Sequence, residues 1–239
     1  MESARELTSP IAGAALPYSP ERPGAADACP DTIVLQVDLT VSGIDGFAWL
    51  TSRRDAQCGV RMATLQREAS IQGWSWVELT QARLKQLRPR RAEVNELGAA
   101  YLAALTPGVV DATSALRRAG VSIALASDVA AEALFGVGTA LGVSPDELHA
   151  PRLRFDAIGA FVGSEVLARR AVGPADVAAH RAAGSAAQRW FVGTRRSAMF
   201  APRGTDAFVA FSGVVAREGR TDAFATIANF ADLTALALR

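Results

Sequence analysis

The feature that most limits how this chain can fold is the run T-I-V-L-Q-V-D at residues 32–38, which is apolar at consecutive positions rather than alternate ones. Such a run suits a strand buried on both faces, the condition of a parallel sheet covered by helices. Shorter runs of the same kind recur at 121–126, 189–192 and Ala207–Phe211, with helical patterns between them. Strands that alternate with helices predict an α/β fold, a Rossmann-like parallel sheet joined by right-handed crossovers. Ligands of such sheets sit beyond the carboxyl ends of the strands. That rule marks residues 36–42, Ser127-Asp128 and residues 193–198.

Between the first two strands the texture changes. Helical patterns at 45–53, 60–69, Trp76–Leu87 and 92–105 predict a small helical cap over 43–105, leaving 31–42 and 106–239 as the core domain. In the core, a helix is expected at 129–141 before Gly142, a hairpin over 152–161, a helix over 173–183 and mostly helix over 224–238. Residues 1–30, broken by Pro10, Pro17, Pro20, Pro23 and Pro30, read as a disordered tail. The apolar stretch at 11–16 is too short to span a bilayer, and Glu2 and Glu6 spoil a signal's basic region, so no membrane association is expected. A formal net charge of +1 gives no pull toward nucleic acid, and the Arg pairs suit solvated faces. Cys29 and Cys58 lack metal-ligand spacing and fit a reduced, cytoplasmic setting. Nothing in the pattern speaks to oligomeric state.

Three segments lie at the marked strand ends: Q-V-D-L-T-V (36–41), A-L-A-S-D (124–128) and F-V-G-T-R-R-S-A (191–198). With L-T-P-G-V (105–109), R-L-R-F (152–155) and D-A-F-V-A-F-S-G-V-V (206–215) in this order, the chain resembles the haloacid-dehalogenase superfamily, in its phosphoserine-phosphatase-like branch. That resemblance covers nearly everything after the tail. It implies a hydrolase scaffold in which an Asp attacks phosphorus, an Asp two residues on moves the proton, Ser/Thr and Lys hold the phosphoryl oxygens, and acidic residues hold Mg²⁺.

The catalytic pattern is degenerate. With Thr40-Val41 on the family's T-[V/L/I], the nucleophile position is Gln36, a neutral amide that cannot form an aspartyl-phosphate, and the proton-transfer position is Asp38. The acidic positions of the last motif are Thr194 and Ala198, so no metal site and no cofactor are implied. The family Lys falls near 174–176, whereas the chain's single Lys is Lys85, in the cap; Arg169 or Arg170 could replace it as a planar fork. In the cap, Trp76, Leu79 and Arg83 share a helical face, and the resemblance places an aromatic residue and an Arg here for a substrate carboxylate. Ser127 either binds an oxyanion or caps the following helix.

The site therefore comprises Asp38 as the catalytic acid/base, with Gln36, Thr40, Ser127, Arg83 and Trp76 binding a small anionic metabolite, carboxylate or phosphate. The leading expectation is a diverged, metal-independent enzyme. Two alternatives stay open: a non-catalytic binding or regulatory protein, and a phosphomonoesterase in which a shifted D-x-T-x-S register makes Asp38 the nucleophile. His149 and His180 have no nucleophile or carboxylate constellation around them and read as structural.

Overall fold

A computed structural model describes residues 29–165, 188–194, 207–215 and 223–239. All but the last two residues of the expected tail, and the helix expected at 173–183, lie outside the described residues. In chain order the strands are β1 (Thr32–Gln36), β2 (Ser122–Ala126), β3 (Leu148–His149), β4 (Arg152–Phe155), β5 (Phe161–Glu165), β6 (Arg189–Gly193), β7 (Ala207–Phe211) and β8 (Ala225–Ile227). Six of them form a parallel sheet in the order β3-β2-β1-β6-β7-β8, and β4 pairs with β5 as an antiparallel hairpin. The consecutive apolar residues of β1 divide between the two faces: Ile33 and Leu35 join the larger core, while Val34 packs with Ala124, Phe191, Phe208 and Ala210 on the other. Because the chain leaves β1 for β2 on one side and later returns to β6 on the other, the strand order reverses at β1. The crevice beyond its carboxyl end is the place such sheets offer a ligand.

Four helices separate β1 from β2's crossover helix: α1 (Gly46–Thr51), α2 (Ala56–Gln72), α3 (Trp76–Leu87) and α4 (Arg91–Ala103). Against the expected patterns α2 is longer, α3 coincides, and α1 and α4 are shorter. α2 stops at Gly73, whose φ of 66° is the left-handed conformation that favours glycine. α3 starts where Ser75 and Glu78 cap each other reciprocally, which fixes Trp76 in its first turn and Arg83 two turns on. The entry and exit of the cap are strapped together: Gly43 N–H donates to Ala104 O (2.9 Å), Thr106 N–H to Val41 O (2.8 Å), and the Thr106 hydroxyl to Thr40 O (2.6 Å). Arg54 adds a two-pronged bond to Glu93 on α4 (2.5 and 2.7 Å), tying the α1–α2 turn to the returning helix. The chain then enters α5 (Val109–Arg118).

Three expectations need correcting. β1 ends at Gln36 instead of continuing to Asp38, because Leu39 takes a left-handed backbone (φ 57°) and Val41 and Ser42 N–H groups turn back to Gln36 O and Val37 O. The helix expected at 129–141 begins as a 3₁₀ turn, Ala131–Leu134, before α6 (Phe135–Leu141). The stretch 224–238 is not mostly helix from its start: Ala225–Ile227 pairs with β7 as an edge strand, and α7 (Phe230–Ala237) begins only where Asn229 accepts from Asp232 N–H. Among the described residues no helix is long and apolar enough to cross a membrane.

Candidate active site

The ends of β1, β2 and β6 converge. Gln36 is buried between Ala126 of β2 and the end of β6, and its amide oxygen accepts from Thr194 N–H (3.2 Å). Asp38 lies in the turn beyond the strand, half-buried, and gathers three donors. Its Oδ1 accepts from the Tyr101 hydroxyl (2.5 Å) and Gly46 N–H (2.8 Å), and its Oδ2 from the Ser127 hydroxyl (2.7 Å). One carboxylate thus links β1, the start of α1, the cap helix α4 and the end of β2. Burial pushes Asp38 above its ordinary value, opposed by the three hydrogen bonds, while nearby Asp45 pushes it further up. The buried Tyr101 phenol is raised well above its ordinary value by burial and by the charge of Asp38, so it stays a donor.

The pattern gives Asp128 a place at a strand end but no role, and it does not mark Tyr101. Asp128 Oδ1 accepts from Trp76 Nε1–H (3.0 Å), a bond from cap to core. Burial first, and the charge of Asp38 second, push Asp128 up to about 7, offset in part by Trp76 and Arg83. Arg83 lies over the Phe47 ring (5.0 Å), donates to Gln66 from one terminal nitrogen, and leaves its Nε without a partner. Burial lowers its pKa from an ordinary value so high that the fork keeps its charge, and Asp128 and Asp45 oppose the shift.

Of the residues marked from the sequence, Asp38 and Ser127 are in direct contact, Gln36 ends β1 two residues before Asp38 and pairs with Ala126 beside Ser127, and Trp76 and Arg83 approach through Asp128. Thr40 is different. It is fully buried behind the turn with its hydroxyl unpartnered, so a ligand in the cleft does not reach it in this arrangement. Ser127 is likewise occupied, donating to Asp38 while accepting from Val129 N–H (3.3 Å); the helical turn that follows has Ala130 at its N-cap, so Ser127 braces the loop and does not cap the helix. The described residues do not fit a divalent-ion site. The amide of Gln36 is spent on Thr194, and no group of three His, Cys, Asp or Glu is placed to hold a metal among them. Ala198 and residues 174–176 lie outside the described residues. A separate cleft of about 300 Å³, lined by Arg91, Val94, Asn95, Glu132, Phe135, Leu153 and Phe155, contains none of these groups.

Gly46 is the position the site tolerates least change in. A Cβ there would overlap the Tyr101 hydroxyl and lie 2.8 Å from Val129 Cγ2 and 3.0 Å from Asp38 Oδ1. Helix propensity alone would make Gly46→Ala stabilising by roughly 0.5–1 kcal/mol. Overpacking is expected to win, with a net loss of about 1–3 kcal/mol in denaturant unfolding; a gain in stability would show that the Tyr101–Asp38 contact yields freely.

No family model matches the chain, and no curated protein does. Solved structures do. A phosphoserine phosphohydrolase-like protein from Francisella tularensis subsp. tularensis SCHU S4 superposes with a TM-score of 0.69 at 15% identity, over 86% of this chain and 99% of that one. Phosphoserine phosphatase from T. onnurineus gives 0.60 at 15% identity, over 88% and 95%. A HAD-family hydrolase from Salmonella enterica serovar Typhi gives 0.60 at 11%, over 84% and 68%. At such identities the likeness is one of fold.

Proposed function

We propose that this chain, which has the haloacid-dehalogenase-like fold of the phosphoserine phosphatases, is a proton-transfer enzyme that acts on a small carboxylate-bearing metabolite without a divalent ion. Asp38 is its acid/base group. The observation that carries this reading is the hydrogen bonding of Asp38: three donors fix both oxygens, yet the second lone pair of Oδ2 is left for a proton. Fixing a carboxylate by rigid neighbours while burial raises its basicity is the preparation general base catalysis needs. Arg83, aligned by α3 and floored by Phe47, supplies the positive charge that draws a carboxylate here. A carboxylate suits this cleft better than a phosphate, because Asp38, Asp45 and Asp128 already oppose Arg83 and a dianion would add to the imbalance. Gln36 and Thr194 supply no charge to hold Mg²⁺ and no nucleophile. Isomerisation, elimination or cyclisation of such a metabolite would each use one base in this way.

One observation favours a second reading, that of a binding protein: the Asp38 hydrogen bonds also cross-link four elements, which is a structural role. The test is proton exchange. A panel of 2-hydroxy, 2-amino and 2-oxo carboxylates, incubated with the protein in D₂O and EDTA, is expected to show deuterium at the carbon next to the carboxylate by proton NMR. Exchange that vanishes with chelator and returns with Mg²⁺, or a trapped phosphoryl adduct on Asp38, overturns the proposal; binding without exchange favours the second reading.

A further inference from the structure

Asp38 accounts for one end of a proton transfer, and the geometry supplies a group for the other. Asp128 follows Ser127, whose hydroxyl is bonded to Asp38, and it lies close enough to feel the charge of Asp38, so two carboxylates come together at the ends of neighbouring parallel strands. Their surroundings differ. Asp38 has three hydrogen-bond donors, whereas Asp128 has one, Trp76 Nε1–H on Oδ1, and its Oδ2 receives no donor among the described residues. Asp128 is half-buried. Trp76 from α3 is bonded to it, and the charges that act on it are those of Asp38 in the β1 turn, Arg83 on α3 and Asp45 at the N-cap of α1.

We infer that Asp128 is the proton donor of the cleft, the acid that complements Asp38 as the base. This inference rests on the proton-transfer reading. Asp38 Oδ2 takes the proton as the substrate C–H bond breaks and its electron pair moves into the carbon skeleton. The Asp128 O–H bond then breaks, and its proton goes to the substrate atom that receives that pair. Asp38 ends protonated and Asp128 ionised, and exchange with water restores both. The division follows from environment: two carboxylates set apart by their neighbours take opposite roles. Burial and the charge of Asp38 let Asp128 hold a proton close to neutral pH, while at Asp38 three donors oppose the rise that burial causes. A purely structural Asp128 would need only an oxygen for Trp76.

The test uses the full chain labelled with ¹³C at the aspartate carboxyls. The resonance missing in Asp128→Asn is expected to titrate near neutrality in the wild-type protein, and to move down by about one pH unit or more in Asp38→Asn, as interacting carboxylates do. Trp76→Phe should move it up, since a donor to the ionised form is lost. Asp128→Asn keeps an amide oxygen for Trp76, so the cap contact survives. A resonance in the ordinary carboxylate range, or one indifferent to Asp38, overturns the inference. On any probe the wild-type protein converts, Asp128→Asn should slow net conversion at least about tenfold while deuterium exchange at the substrate carbon by Asp38 persists; equal conversion rates overturn it. Because the titration needs no substrate, it can fail while exchange by Asp38 stands, and the reverse.

Discussion

Asp38→Asn is expected to lower proton exchange on a carboxylate probe by about 10²–10⁴-fold, the range a positioned acid/base group contributes, while the melting temperature shifts by only a few degrees. The asymmetry comes from the three donors. An Asn oxygen in place of Oδ1 still accepts from Tyr101 and Gly46, and the Ser127 hydroxyl can rotate to accept from the new amide nitrogen. The fold therefore keeps its cross-link and loses only the basic lone pair. Asp38→Ala behaves otherwise: it strands the buried Tyr101 phenol and the Gly46 N–H, at a cost of about 1–3 kcal/mol for each unsatisfied group. Exchange rates by NMR beside thermal unfolding of both variants separate chemistry from architecture. Exchange by the Asn variant within about threefold of the wild-type rate would remove Asp38 from proton transfer.

How far the sequence announces this arrangement depends on distance along the chain. β1, β2, β6 and β7 are legible because burial on both faces demands consecutive apolar residues, and each run is complete within a few positions. The start of α3 is legible because Ser75 and Glu78 carry their own capping geometry. β3 is two residues long, and β8 follows Phe224 and precedes an apolar helix, so neither has a pattern of its own; the edge of a sheet supplies it. The parallel-sheet rule found the residues at the strand ends, Gln36, Asp38 and Ser127. It could not find Tyr101, which reads as one more apolar position on α4 and meets Asp38 across 63 residues of sequence. Nor could it give Asp128 more than a place after a strand, since its partner Trp76 comes from the cap. Thr40 shows the converse. Its place in the motif suggests a ligand contact, but the left-handed turn at Leu39 leaves it wholly buried.

Asp128→Asn should make the protein more stable at pH 8 than the wild type, with an advantage that shrinks toward zero below about pH 4. The sign follows from linkage. The folded-state pKa of Asp128 is pushed up to about 7 from an ordinary 3.8, so between those values the folded chain holds a proton that the unfolded chain has released. That preference supports the fold fully below the unfolded value and is lost as pH rises through the folded one; above it, the wild-type protein must keep an ionised carboxylate in a site that disfavours charge. Asn carries no such burden and keeps an acceptor for Trp76. A shift of this size corresponds to a ceiling of about 4 kcal/mol. Because Asp128 is only half-buried and Arg83 offsets part of the penalty, about 1–3 kcal/mol is the expected gain at pH 8. Part of the shift comes from the charge of Asp38, so the gain should be smaller when measured in an Asp38→Asn background, where the two substitutions share one interaction. Denaturant unfolding of the four proteins at pH 5 and pH 8 measures all of this. A gain that is the same at both pH values, or absent at pH 8, would mean that Asp128 is ionised throughout, and the cleft would then lose its proton donor along with its pH-dependent stability.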